Sequence, residues 1–74
     1  MSKAMTWEEL CKKAKEMGFS ISHYLNDDDI ELGYIYCNDY IYLEEDGKIT
    51  TSTENIVAEN RTYKQMYQIM DALR

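Results

Sequence analysis

The sequence predicts an α+β protein: a two-layer sandwich in the order α-β-β-β-β-α, with an antiparallel meander sheet and both helices on one face. Two observations establish the elements. Apolar residues recur at helical spacing near both ends of the chain, and between them the period falls to two over about residues 19–53. A third sets the topology: the alternating stretches are separated by short Asn, Asp and Gly turn signals of the hairpin type. Helices and a sheet that are each apolar on one side bury that side against one another. With 74 residues and 45% hydrophobic composition, the chain should fold as one domain over 1–74 with a thin core.

The first helix is expected over about 7–17. Thr6 can cap its N-terminus, with Glu9 completing a capping box. Trp7, Leu10, Cys11, Ala14 and Met17 form its apolar side, and Lys12, Lys13 and Lys15 fall mainly on the other. Gly18 suits a left-handed C-cap. The second helix is expected from about Thr62 to the C-terminus. Thr62 and Gln65 form a second capping pair, and Tyr63, Met66, Tyr67, Ile69, Met70 and Leu73 form a stripe.

Between the helices, Phe19, Ile21, His23 and Leu25 alternate with Ser20, Ser22 and Tyr24. Asn26-Asp27-Asp28-Asp29 breaks that run, and Ile30, Leu32, Tyr34 and Tyr36 then alternate with Glu31, Gly33, Ile35 and Cys37. Asn38-Asp39 reads as a two-residue turn before a strand from Tyr40 to Glu45, and Asp46-Gly47 as another before a strand over about Lys48 to Thr53. Residues 54–60 fit either a short extended segment or a helical turn.

These turns set an expected register. Leu25 pairs with Ile30, Tyr36 with Ile41, and Cys37 with Tyr40. Opposed residues share a face, so the core face collects Phe19, Ile21, His23, Leu25, Ile30, Leu32, Tyr34, Tyr36, Ile41 and Leu43. The open face collects Ser20, Ser22, Tyr24, Glu31, Gly33, Ile35, Cys37, Tyr40, Tyr42, Glu44, Ile49 and Thr51. Tyr24, Ile35, Tyr40, Tyr42 and Ile49 are its candidate partner-binding residues, since tyrosine brings large contact area with few rotatable bonds.

The formal charge is -6, and it is unevenly spread. Residues 1–18 carry +1, residues 19–60 carry -9 and residues 61–74 carry +2. In a meander the first and third turns lie at one end of the sheet. Asp27, Asp28, Asp29, Glu45 and Asp46, with Glu31 and Glu44 nearby, therefore form an acidic pole opposed by Lys48, expected across from Glu45. The pole could keep a small protein soluble, or it could receive a basic partner. A cation site there is a weaker alternative, because the acids lack the alternate spacing and central glycine of a calcium loop.

No sequence pattern marks catalysis. Phosphate loops, dinucleotide glycine patterns and Gly-x-Ser-x-Gly elbows are missing from the sequence. His23, the one histidine, is expected inside near Leu32 without a nucleophile. Cys11 reads as a core residue, and Cys37 as a thiol on the open face, so the two lie on opposite sides of the sheet and a disulfide is disfavoured. Gly33 either marks a bulge or leaves room for a close neighbour. No catalytic residue, cofactor or metal ligand is assigned. Two cysteines, no leader and no long apolar run point to the cytoplasm rather than secretion or a membrane. Net acidity argues against direct nucleic-acid binding, including base stacking on the tyrosines.

The expected function is a non-enzymatic interaction module, binding a protein partner or itself through the tyrosine-bearing face and the acidic pole. A more specific variant is an acidic, nucleic-acid-mimicking inhibitor of a basic nucleic-acid-handling protein, compatible with origin in a mobile element.

Overall fold

A computed structural model describes residues 4–38, 40–53 and 55–73. The Asn38-Asp39 turn and the 54–60 segment each include one residue, Asp39 and Glu54, outside the described set. The elements are α1 (Trp7–Glu16), β1 (Ser20–Leu25), β2 (Glu31–Tyr36), β3 (Tyr42–Glu44), β4 (Ile49–Thr50), β5 (Ile56–Ala58) and α2 (Tyr63–Leu73). The strands form one antiparallel meander in the order β1-β2-β3-β4-β5, and both helices pack on the same face. The fold is the expected small α+β sandwich with a fifth strand added. Ile56, Val57 and Ala58 are extended, and pair with β4 across a bulge.

Both helices begin as their sequences dictate. Thr6 Oγ1 accepts the Glu9 N–H at 3.1 Å while Glu9 Oε1 accepts the Thr6 N–H at 3.4 Å. Thr62 and Gln65 make the same reciprocal pair, at 3.1 and 2.8 Å. Each pair satisfies two of the N–H groups a helix start leaves without intrahelical partners. Leu10 and Ala14 of α1 and Met66 and Met70 of α2 are fully buried, and they close over Ile35, Cys37, Leu43 and Ile49 of the sheet.

The register differs from the expected one at each of the first three turns. Leu25 pairs with Glu31, Tyr36 with Tyr42, and Leu43 with Ile49. The ladder continues through Asn26 N–H to Ile30 C=O, Cys37 N–H to Ile41 C=O, and Glu44 N–H to Lys48 C=O. Three residues therefore separate the paired ends at each turn, where two are expected at the second and third turns and two or four within 26–29 at the first. In the first turn the Asp29 N–H bonds the Asn26 C=O and Asp29 adopts φ 59°; in the third the Gly47 N–H bonds the Glu44 C=O and Gly47 adopts φ 95°. This is a type I turn closed by a left-handed residue, the usual three-residue hairpin loop. Asx side chains reinforce each loop. Asn26 Oδ1 accepts the Asp28 and Ile30 N–H groups, Asn38 Oδ1 those of Tyr40 and Ile41, and Asp46 Oδ1 that of Lys48.

Each extra loop residue slips the pairing by one and turns the next strand over. The first slip inverts β2, the second restores β3, and the third inverts β4. Ile35, Cys37 and Ile49, expected on the open face, are consequently buried beneath the helices. Leu32, Tyr34 and Tyr36, expected in the core, lie outside on the open face with Tyr24 and Tyr42. Lys48 stands opposite Glu44 rather than Glu45. The third and fourth strands are shorter than expected because these loops consume their ends.

His23 pairs with Gly33 rather than Leu32 and is exposed on β1, the edge strand of the sheet. Leu25 and Ile30, also expected inside, are 65% and 54% exposed beside the first turn. Cys11 and Cys37 both lie on the helix side of the sheet, and both are free thiols.

Gly33 is unbulged and carries the indole of Trp7. A Cβ there would meet Trp7 Nε1 at 3.0 Å and Cζ2 at 3.1 Å. Its backbone is stapled by one residue: Glu45 Oε1 accepts the Gly33 N–H, and the Gly33 C=O accepts the Glu45 N–H, each at 2.9 Å. Tyr63 Oη then donates to the Glu45 C=O at 2.7 Å, tying α2 to the third turn. No helix among the described residues is long and apolar enough to cross a membrane.

Candidate functional site

The helices cover one face of the sheet; among the described residues no element covers the other. Alternation places Tyr24 of β1, Leu32, Tyr34 and Tyr36 of β2, Tyr42 and Glu44 of β3 and Thr50 of β4 on this open face. Its tyrosines form a continuous row across the strands. Ring centroids are 6.0 Å apart for Tyr24 and Tyr34, 5.5 Å for Tyr34 and Tyr42, and 5.1 Å for Tyr36 and Tyr42. All three pairs are tilted and fall within the favourable 4.5–7 Å range for aromatic contacts, each worth roughly 0.5–1.5 kcal/mol beyond area burial. Each of the four rings is half-buried.

One end of the row is polar. Tyr24 Oη donates to Glu44 Oε1 at 2.6 Å, a short bond of the charge-assisted kind. Burial, then this hydrogen bond and the nearby carboxylates of Glu44, Asp46 and Glu45, hold the Tyr24 phenol far above its ordinary pKa. The phenol therefore stays a neutral donor at any physiological pH. Beside it, Tyr24, Tyr34, Tyr42, Glu44, Lys48 and Ile56 line a shallow concavity of about 440 Å³. Three aromatic rings, one engaged carboxylate and one ammonium suit an amphipathic side chain better than a small polar substrate.

The residues singled out in the sequence separate into groups. Tyr24, Tyr42 and Glu44 belong to this surface. Tyr40 is 72% exposed, but in the β2–β3 loop at the other end of the sheet. Ile35 and Ile49 are core residues, 0% and 6% exposed. Asp27, Asp28 and Asp29 are exposed in the first turn, at the same end as the third turn by the meander topology. The third-turn acids have local partners: Glu44 takes the Tyr24 phenol, Glu45 the Gly33 amide, and Asp46 the Lys48 amide and, at 3.6 Å, its ammonium. The pole is thus an exposed Asp27, Asp28 and Asp29 turn facing a hydrogen-bonded acidic turn that holds the sheet together.

Sequence reasoning missed Tyr34 and Tyr36. Placing them in the core would have buried two phenol oxygens, which require partners there. That cost was readable in the sequence and favours the register in which Gly33, Ile35 and Cys37 face inward.

The remaining chemical groups do not converge. Burial pushes the Cys37 thiol up to about 11, away from nucleophilic use at neutral pH. Cys11 is raised by burial, then by Glu45, against a lowering by Lys15. His23 sits beside a second shallow depression with Trp7, Glu8, Cys11, Lys12, Lys15 and Ile21. Among the described residues, no three His, Cys, Asp or Glu side chains cluster to hold a metal ion. No protein-family model, curated protein or solved structure matches the chain.

Proposed function

We propose that the chain is a non-enzymatic protein-interaction module whose open face receives a basic surface of a protein partner. The observation that carries this reading is the unbroken row of Tyr24, Tyr34, Tyr42 and Tyr36 on an uncovered sheet face, ending at Glu44 beside the acidic turns. Arginine or lysine of the partner would lie over the ring faces, where a cation gains about 0.5–2 kcal/mol. Asp27, Asp28 and Asp29 would steer its approach. A nucleic-acid-handling protein presents such a surface, so the acidic-inhibitor variant is the specific form of this reading. Two free thiols support a reducing compartment, the cytoplasm.

The test uses the Tyr34→Ser, Tyr42→Ser double variant, which removes the centre of the row without touching the core. A partner retained by the wild-type chain should bind the folded variant at least about 30-fold more weakly, as expected for loss of central aromatic anchors. Its affinity for the wild type should also fall steeply with salt. Undiminished binding to the double variant refutes the reading.

A further inference from the structure

β1 forms a free edge of the sheet. β1 is six residues long, Ser20–Leu25, and pairs with β2 alone. Bonds from Asn26 to Ile30 and from Glu45 to Gly33 fix the phase of the β1–β2 ladder. In that phase Ser20, Ser22 and Tyr24 face β2 with their amides, while Ile21, His23 and Leu25 direct theirs outward from the sheet. Proteins blunt such an edge with proline, lysine, a bulge or a short strand. β1 has none of these devices: its sequence is SISHYL and its pairing is regular. The opposite edge, β5, is only three residues long and bulged.

We propose that β1 pairs antiparallel with β1 of a second copy, about a twofold axis through His23, joining two meanders into one continuous sheet. Outward-facing residues must oppose outward-facing residues, which excludes alternate registers. Placing His23 against His23 pairs Ile21 with Leu25 of the other copy and closes about six main-chain hydrogen bonds. It also covers Leu25, which is 65% exposed in the single chain.

Charge complementarity supports the second copy as occupant. β1 carries no formal charge in a chain of -6, so the pairing strands do not repel. In this register Asp27 and Asp28 fall alongside Phe19 and Gly18 of the other copy. There α1 ends, and its Lys12 and Lys15 line the same depression as Ile21 and His23 of β1, while Lys13 is taken by Glu16 at 3.9 Å. The twofold axis stands perpendicular to the sheet, so both open faces point the same way. Tyr24 of each copy lies across from Ser22 of the other, and the two tyrosine rows form one platform. The pairing does not depend on what that platform binds.

Sedimentation equilibrium of the full chain tests the pairing, and engineered disulfides test its register. The wild type should sediment at twice its 8.8 kDa chain mass, and His23→Lys, at an exposed edge position, should sediment as a folded single chain. In a Cys11→Ser background, His23→Cys should give an oxidised, covalently linked dimer, because directly opposed residues bring their Cα atoms to about 5.5 Å. Leu25→Cys, which faces Ile21 of the other copy, should remain unlinked. A wild type that stays single at every concentration overturns the proposal. So does a dimer that survives His23→Lys, or cross-linking at residue 25 as efficient as at residue 23.

Discussion

Substituting Gly33 by alanine isolates the contact that seats α1 on the sheet. In an open strand the exchange should stabilise, since glycine costs about 0.5–1 kcal/mol relative to alanine. Here the added Cβ would lie 3.0, 3.1 and 3.3 Å from three atoms of the Trp7 indole. The ring cannot simply lift away. It packs against Tyr63, with centroids 5.6 Å apart, and Tyr63 is held by its bond to the Glu45 carbonyl. Overpacking of this kind costs about 1–3 kcal/mol, so the net effect should be a loss of about 1–2 kcal/mol. Urea unfolding followed by far-UV circular dichroism, a signal that does not depend on Trp7, measures it in every variant. The cycle with Trp7→Ala supplies the control: without the indole, Gly33→Ala should become neutral or stabilising. A Gly33→Ala protein as stable as the wild type, or an equal penalty in both backgrounds, would refute the argument.

Three more outcomes follow from single interactions. Tyr24→Phe deletes the phenol bond to Glu44 and should cost about 1–2 kcal/mol in thermal or urea unfolding, leaving the far-UV spectrum unchanged. Asp29→Gly relieves a non-glycine residue at φ 59° and removes one charge from the acidic pole; it should stabilise by about 0.5–1 kcal/mol and raise the urea midpoint. The Cys37 thiol is raised by burial to about 11 from an ordinary 9.0, so the fold favours its neutral form. That contribution is intact below pH 9 and is lost as pH rises toward 11; the urea midpoint should fall across this window, and fall less in Cys37→Ala.

Element identity was legible from local signals. Capping pairs at Thr6 and Thr62 and helical stripes ending in Met17 and Leu73 located both helices, and two-residue alternation located β1 and β2. Register was less legible because it turns on one residue per loop. Asn38-Asp39 and Asp46-Gly47 match the two-residue hairpin pattern, yet the Asn38 and Asp46 side chains hydrogen-bond forward into the loop and favour one residue more. Asp29 in a left-handed conformation had no glycine to announce it. Successive slips cancelled at β3, so Tyr42 and Glu44 were placed correctly while Tyr34, Ile35, Tyr36 and Ile49 were exchanged between faces. The candidate surface inherited that exchange: its ends were visible in the sequence, and its centre depended on a strand being turned over.

The tyrosine surface exists only in the register that puts four tyrosines outside, and proton NMR in D2O reads that register directly. In antiparallel sheets the Hα atoms of non-hydrogen-bonded pairs approach closely, with Cα atoms about 4.5 Å apart, and give strong cross-peaks. The structure places Ile21 with Ile35, His23 with Gly33, Tyr34 with Glu44, and Tyr36 with Tyr42 in such pairs. Strong Hα–Hα cross-peaks at these four pairs are the predicted result. Cross-peaks instead for the slipped pairs, Leu25 with Ile30 and Tyr36 with Ile41, would return Tyr34 and Tyr36 to the core and contradict the account.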